Sequence, residues 1–133
     1  MSSDLIGLQK KIAKTELEYY RKLRENLQYI KKRAAKILKN ARVYIFGSVV
    51  EGRYIPGKSD IDVLIVSNQI PKTVSELVKL KLEILGELGY LNPFEIHFAD
   101  EKIFEHYRKH ATLVDVDQIT KDILKSKDTK VNG

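Results

Sequence analysis

The chain has 133 residues, 43% hydrophobic and 32% charged, which suits one domain with a real core. It has no cysteine, which excludes disulfides and thiolate metal sites, and no apolar run near the ~20 residues that cross a bilayer. The net charge of +6 is uneven: residues 1–42 hold twelve Lys/Arg and four Asp/Glu, residues 43–98 five and seven, and residues 99–133 seven of each. A basic stretch beside an acidic middle suits a polyanionic partner, and equally a solvated helix face. The opening MSSDLIGLQKK lacks the apolar core of a signal peptide, so the expectation is a cytoplasmic chain with no membrane partner.

Residues 8–39 read as helix, with Leu8, Ile12, Leu17, Tyr20, Leu23, Leu27, Ile30, Ala34 and Ile37 recurring at intervals of three to five. This is one long helix or two joined near Glu25–Gln28, with Asn40 as terminator. Residues 42–46 (RVYIF) read as a short strand. Residues 47–59 read as a loop with a helical turn after Ser48, and Pro56-Gly57 as a type II turn. Residues 60–67 (DIDVLIVS) are the strongest strand, with an unbroken apolar run from Val63 to Val66 that implies cover on both faces. Residues 73–88 read as a helix capped by Gly89. Residues 93–98 (PFEIHF) read as a third strand, with Glu95 and His97 on one face. Residues 100–110 and 116–125 read as short helices, and the polar tail as frayed. The result is one domain over residues 1–133: a helical segment (1–40), a core (41–99) and C-terminal helices (100–125). A crossover through 73–88 would bring Asp60, Asp62 and Glu95 together.

Asp60 and Asp62, two apart on a strand, point the same way, and a divalent cation offsets their repulsion. Mg²⁺ prefers carboxylates, waters and phosphates. Two such ions ~3.5–4 Å apart clamp an in-line phosphoryl transfer, with Glu95 completing the site. The alternative is a pair of edge-strand acids that block aggregation. Against it, the acids open a buried element, and Gly47-Ser48 ends the preceding strand where N–H groups and a hydroxyl can take a phosphate. The glycine and lysine spacing fits neither a Walker A loop nor a dinucleotide fingerprint.

Gly47-Ser48, an eleven-residue spacer, Asp60-x-Asp62 and a later acid, Glu95, resemble the signature of the DNA polymerase beta-like nucleotidyltransferase superfamily. The small size resembles the minimal archaeal and bacterial members. The loop, with Gly52-Arg53, Pro56-Gly57 and Ser59, resembles that of archaeal CCA-adding enzymes. The resemblance covers about residues 38–98. It implies an α+β palm-like fold, a small mixed sheet backed by helices, to which the periodicity adds a long N-terminal helix. It also implies a bound NTP, ATP first among them, and two Mg²⁺ ions with Mn²⁺ as an alternative. Asp60, Asp62 and Glu95 are the expected catalytic metal ligands, and Gly47, Ser48, Arg53, Lys58 and Ser59 the expected nucleotide contacts. Val49-Val50-Glu51 departs from relatives that carry positive charge there, and Glu95 replaces a commoner aspartate. The resemblance also implies either transfer to a protein, RNA or small-molecule hydroxyl, or an antitoxin-like role beside a helical partner; an oligomer is open.

Lys31, Lys32, Arg33, Lys36 and Lys39 could contact RNA phosphates or a partner, or simply solvate a helix. Tyr19, Tyr20 and Tyr29 are expected to pack. His97 could bind a phosphate or tune Glu95, or be a partly buried polar residue. His106 and His110, four apart, have no evident third ligand.

Overall fold

The computed structural model describes residues 2–89 and 91–119. Its first two elements are the helices α1 (Ser2–Arg21) and α2 (Leu23–Ile37). The break falls at Lys22, earlier than the expected Glu25–Gln28, because Lys22 takes a non-helical backbone (φ −100°, ψ 27°). The Asn26 side-chain amide there donates to the Tyr19 carbonyl at 3.0 Å. A side chain that takes over a backbone carbonyl is a known cause of a kink.

Four strands follow: β1 (Arg42–Phe46), β2 (Ile61–Val66), β3 (Phe94–Ala99) and β4 (Val114–Asp115). They form one sheet in the order β3-β2-β1-β4, with β2 and β3 parallel and the other pairs antiparallel. Between them lie α3 (Ser48–Glu51), α4 (Val74–Leu85) and α5 (Glu101–His110). The expected crossover is present: α4 carries the chain from β2 to a parallel β3. Thr73 caps α4 by accepting from the Glu76 N–H at 3.3 Å, and Asp100 caps α5 by accepting from Ile103 at 2.9 Å.

Two expectations near helix ends need correction. Gly86 caps α4, and Gly89 ends a following 3-10 turn (Gly86–Leu88). Gly86 sits at φ +49°, and a Cβ on it would lie 2.4 Å from the Tyr29 hydroxyl. Only glycine fits there. Where the expected helix over 116–125 would begin there is a 3-10 turn at Val116–Gln118, directly after β4, which pairs with Tyr44 and Ile45. The Asp115 carboxylate starts that turn by accepting from the Asp117 N–H at 2.8 Å. Residues 120–125 and the expected frayed tail lie outside the described residues.

The sheet has a core on each face. On one, Leu23, Leu27, Ile30 and Ala34 of α2 and Leu80, Ile84 and Leu85 of α4 cover alternate strand residues, including Ile61, Val63 and Ile65. On the other, Phe104 of α5 covers Leu64, Val66 and Ala99, with Tyr44, Phe46, Tyr107 and Leu113 around them. This two-sided cover is why β2 reads as continuously apolar. The second core is smaller and leaves the start of β2 open. That opening is where the acids lie.

The basic cluster divides in this frame. Arg33 donates twice to the Glu83 carbonyl, at 3.2 and 2.7 Å, and so satisfies the C-terminal end of α4. Lys31 pairs with Asp117. Hydrogen bonds from Lys31 and then Gln28 hold the Asp117 carboxyl below its usual range. Any stability from this tie is present above the ordinary carboxylate range and fades as pH falls through the lowered value. Lys32, Lys36 and Lys39 are exposed. Arg33→Ala is expected to cost about 1 kcal/mol and lower the urea midpoint, whereas Lys32→Ala and Lys36→Ala leave it unchanged. Equal effects from all three would refute the capping role.

Candidate active site

The parallel register of β2 and β3 sets Asp62 beside Glu95, about one strand spacing (~4.8 Å) away. Residues 62, 64 and 66 share a face, and the packing of Leu64 and Val66 under α5 identifies it. Asp62 and Glu95 therefore emerge on the α5 side, where the apolar cover ends. Antiparallel pairing puts Phe46 opposite Asp62 on that same face. Two residues along β3, His97 brings its Nε2 to 3.1 Å from Asp62 Oδ1. Ligand atoms of Asp62, Glu95 and His97 all lie within 4.8 Å of one another.

Aromatic rings wall this group. The Phe46 ring lies 5.1 Å from that of His97 and 5.4 Å from that of Tyr107. Burial, and then the Asp62 charge, pushes the Tyr107 phenol above its ordinary value, so it stays a neutral donor.

Gly47 shapes the other side of Asp62. It has φ +78° and ψ −149°, a conformation reserved for glycine. A Cβ built on it would stand 2.4 Å from Asp62 Oδ2. The carboxylate thus has His97 against one oxygen and a bare Cα against the other. Two acids and an imidazole on a cradle that a Cβ would fill form a donor set that suits a divalent cation.

Residues 23–131 match the family described as the nucleotidyltransferase domain. The chain belongs to that family. A protein from Sulfolobus solfataricus, provisionally described as a nucleotidyltransferase, is 24% identical, with a TM-score of 0.50 over 74% of this chain and 85% of its own, and it supports the same fold. Another structure with the same provisional description is 35% identical over 67% of this chain and 97% of its own, with a TM-score of 0.45. No curated protein matches.

In this nucleotidyltransferase domain the acids expected to act together are not placed alike. Asp60 is exposed just before β2 and lies outside the group of Asp62, Glu95 and His97. Ser48 begins α3, whose first turn closes through Val50 and Glu51 N–H bonds to the Gly47 carbonyl. Val49 is buried in the core, and Val50 packs against it. Glu51 is exposed and paired with Arg53. The Ser59 hydroxyl accepts from the Ile55 N–H at 3.1 Å, so it is used inside the loop. The Pro56-Gly57 turn is type II: Lys58 N–H meets the Ile55 carbonyl at 3.0 Å, with Gly57 at φ +84°. Lys58 is exposed at its exit.

Helix α1 braces this loop. A Cβ on Gly57 would meet Ala13 Cβ at 2.8 Å, and the Gly57 N–H donates to Glu16 at 2.9 Å. Tyr20 stacks on Tyr54 with centroids 4.8 Å apart. Tyr19 meets Phe94 edge-on, and Tyr29 accepts from the Glu87 N–H, so all three tyrosines pack as expected. His106 and His110, both exposed on α5, set their rings 4.5 Å apart at a tilt of 49° and join no ligand group among the described residues.

The Tyr54 hydroxyl is buried with no hydrogen-bond partner among the described residues. Burial first, then Glu16, Tyr20 and Asp60, raises its pKa. Removing an unpaired buried hydroxyl relieves a desolvation cost. Tyr54→Phe is therefore expected to keep the stability or raise it by up to about 1 kcal/mol. A clear loss of stability in a thermal melt would reveal a bond that the fold does not show.

Phe46 and Tyr107 were not foreseen as part of the site. Phe46 had a signal, since it directly precedes Gly47 at the end of a strand. Tyr107 had none, because only the docking of α5 brings it there.

Proposed function

We propose that this single domain transfers a nucleoside monophosphate from an NTP to a hydroxyl acceptor and releases pyrophosphate. The acceptor oxygen bonds to the α-phosphorus, the bond to the pyrophosphate oxygen breaks, and the hydroxyl proton passes to solvent. One observation carries this reading: Asp62 and Glu95 stand side by side at the open end of the sheet, with Gly47 bare against Asp62.

In this scheme Asp62 and Glu95 hold one divalent ion, and Asp60 joins Asp62 at a second. Bound Mg²⁺, or Mn²⁺, supplies charge neutralisation at the phosphates and a lowered pKa for the attacking hydroxyl. Gly47 lets the backbone approach the triphosphate, and the Ser48 hydroxyl binds it. Lys58 adds positive charge from the loop exit. Arg53 reaches the phosphates only by leaving Glu51, so its contribution is the smaller. ATP is the first donor to test, in a cytoplasmic setting.

The test is incubation with divalent metal and each labelled NTP, with and without tRNA or a helical partner protein. Label on an acceptor supports the proposal and names both substrates. Pyrophosphate release from no NTP under any condition sinks it.

A second reading, an inhibitory partner of a helical protein, has one observation in its favour. Val74, Val78 and Leu82 form an exposed apolar stripe on α4, beside a groove of about 560 Å³ that reaches Ile103. Such patches mark protein contacts. An RNA-binding role rests on Lys32, Lys36 and Lys39, and requires affinity that falls steeply with salt.

A further inference from the structure

We infer that His97 is a metal ligand at this site, and that the site formed by Asp62, Glu95 and His97 selects a first-row transition ion, Mn²⁺ included, over Mg²⁺. The inference rests on the reading of Asp62 and Glu95 as ligands, and adds the identity of the third donor.

Three observations converge. First, the compact donor group contains His97 and not Asp60, so its donor set is two oxygens and one nitrogen. Second, the spacing suits one ion. Ligands on opposite sides of a small divalent ion stand about 4.2 Å apart. The atoms here lie within 4.8 Å of one another, so small side-chain shifts close the site. Third, the imidazole is aimed inward. Its Nε2 faces Asp62 Oδ1 at 3.1 Å, while Phe46 packs on the ring and keeps it over the acids.

The same Nε2 serves both states. Without metal Nε2 meets Asp62 Oδ1, and it carries the proton in the tautomer that donates there. With metal the proton sits on Nδ1, and the Nε2 lone pair points where the hydrogen bond had been. Imidazole nitrogen suits transition ions better than Mg²⁺, which prefers oxygen donors and keeps its waters. Glu95 is exposed, so the ion is reached directly from solvent and its remaining positions stay open to a triphosphate.

The test is made on the full chain without nucleotide. Mn²⁺ is added, and electron spin-echo modulation is recorded for directly bound ¹⁴N. Calorimetry compares Mn²⁺ with Mg²⁺. The expected result is a ¹⁴N coupling in the wild type and Mn²⁺ binding about tenfold or more tighter than Mg²⁺. His97→Gln should remove the coupling and weaken Mn²⁺ by about tenfold or more. His97→Asp should also lose the coupling but shift preference towards Mg²⁺.

The wild-type spectrum decides even if a variant fails to fold. Bound Mn²⁺ without ¹⁴N coupling overturns the inference, as does a coupling that survives His97→Gln. So does the absence of Mn²⁺ binding. Failure of the transfer reading looks different: nitrogen-bound Mn²⁺ in a chain that turns over no NTP. Transfer with Mg²⁺ and no nitrogen coupling would be the reverse, with the function upheld and the ligand wrong.

Discussion

Asp62→Asn is expected to lower nucleotidyl transfer by roughly three orders of magnitude, about 4 kcal/mol of barrier. The folded chain should survive and even gain stability. Asp62 and Glu95 are cross-strand neighbours of like charge, and such pairs are destabilising. Removing one charge relieves up to about 1 kcal/mol, or a few degrees in melting temperature. Asparagine also keeps an oxygen for the His97 hydrogen bond. The two measurements therefore move in opposite directions, activity down and melting temperature up. Wild-type activity in this variant would end the mechanism. Lost activity with a collapsed melting temperature would indicate instead that Asp62 is structural.

Gly47→Ala is expected to cost about 2 kcal/mol of stability and about 100-fold in activity. Two causes combine. The backbone at φ +78° and ψ −149° is strained for any residue with a Cβ, and that Cβ would strike Asp62 Oδ2 at 2.4 Å. The carboxylate must then turn and leave His97. Gly52→Ala separates the causes. Gly52 also has a positive φ, +79°, but a Cβ there meets nothing within 4 Å. It should lose about 1 kcal/mol from strain with little effect on transfer. Parallel activity losses in the two variants would show that loop strain, and not Asp62, is what Gly47 controls.

The strands around the site were legible because each carries a local signal. Val63 to Val66 are apolar on both faces, Glu95 and His97 alternate with apolar neighbours, and Pro56-Gly57 announces its turn. The neighbourhood of Asp62 and Glu95 followed from one topological rule, the crossover through α4. What was missed depends on contacts far apart in sequence. The kink at Lys22 needs Asn26 to reach the Tyr19 carbonyl. The end of α4 at Gly86 needs Tyr29. β4 has only two residues, too few to show a period, and exists because β1 offers it an edge. Periodicity sets His97 on the face of Glu95, but the contact with Asp62 was not legible, because periodicity gives faces within one strand and not the reach of an imidazole across to the next. Arg33 and Lys31 read as members of a charge cluster until their acceptors, a helix-end carbonyl and Asp117, were located.

Helix α1 lies outside the stretch that matches the family, which starts at residue 23, yet it is the wall against which Gly57 fits and Tyr54 stacks. The acids and the shape of the loop leading to them thus have separate origins in the chain. Changes along α1 can reshape that loop without altering any of the acids. The sheet thus sets the acids, while the loop that leads to them takes its shape from a helix outside the matched stretch.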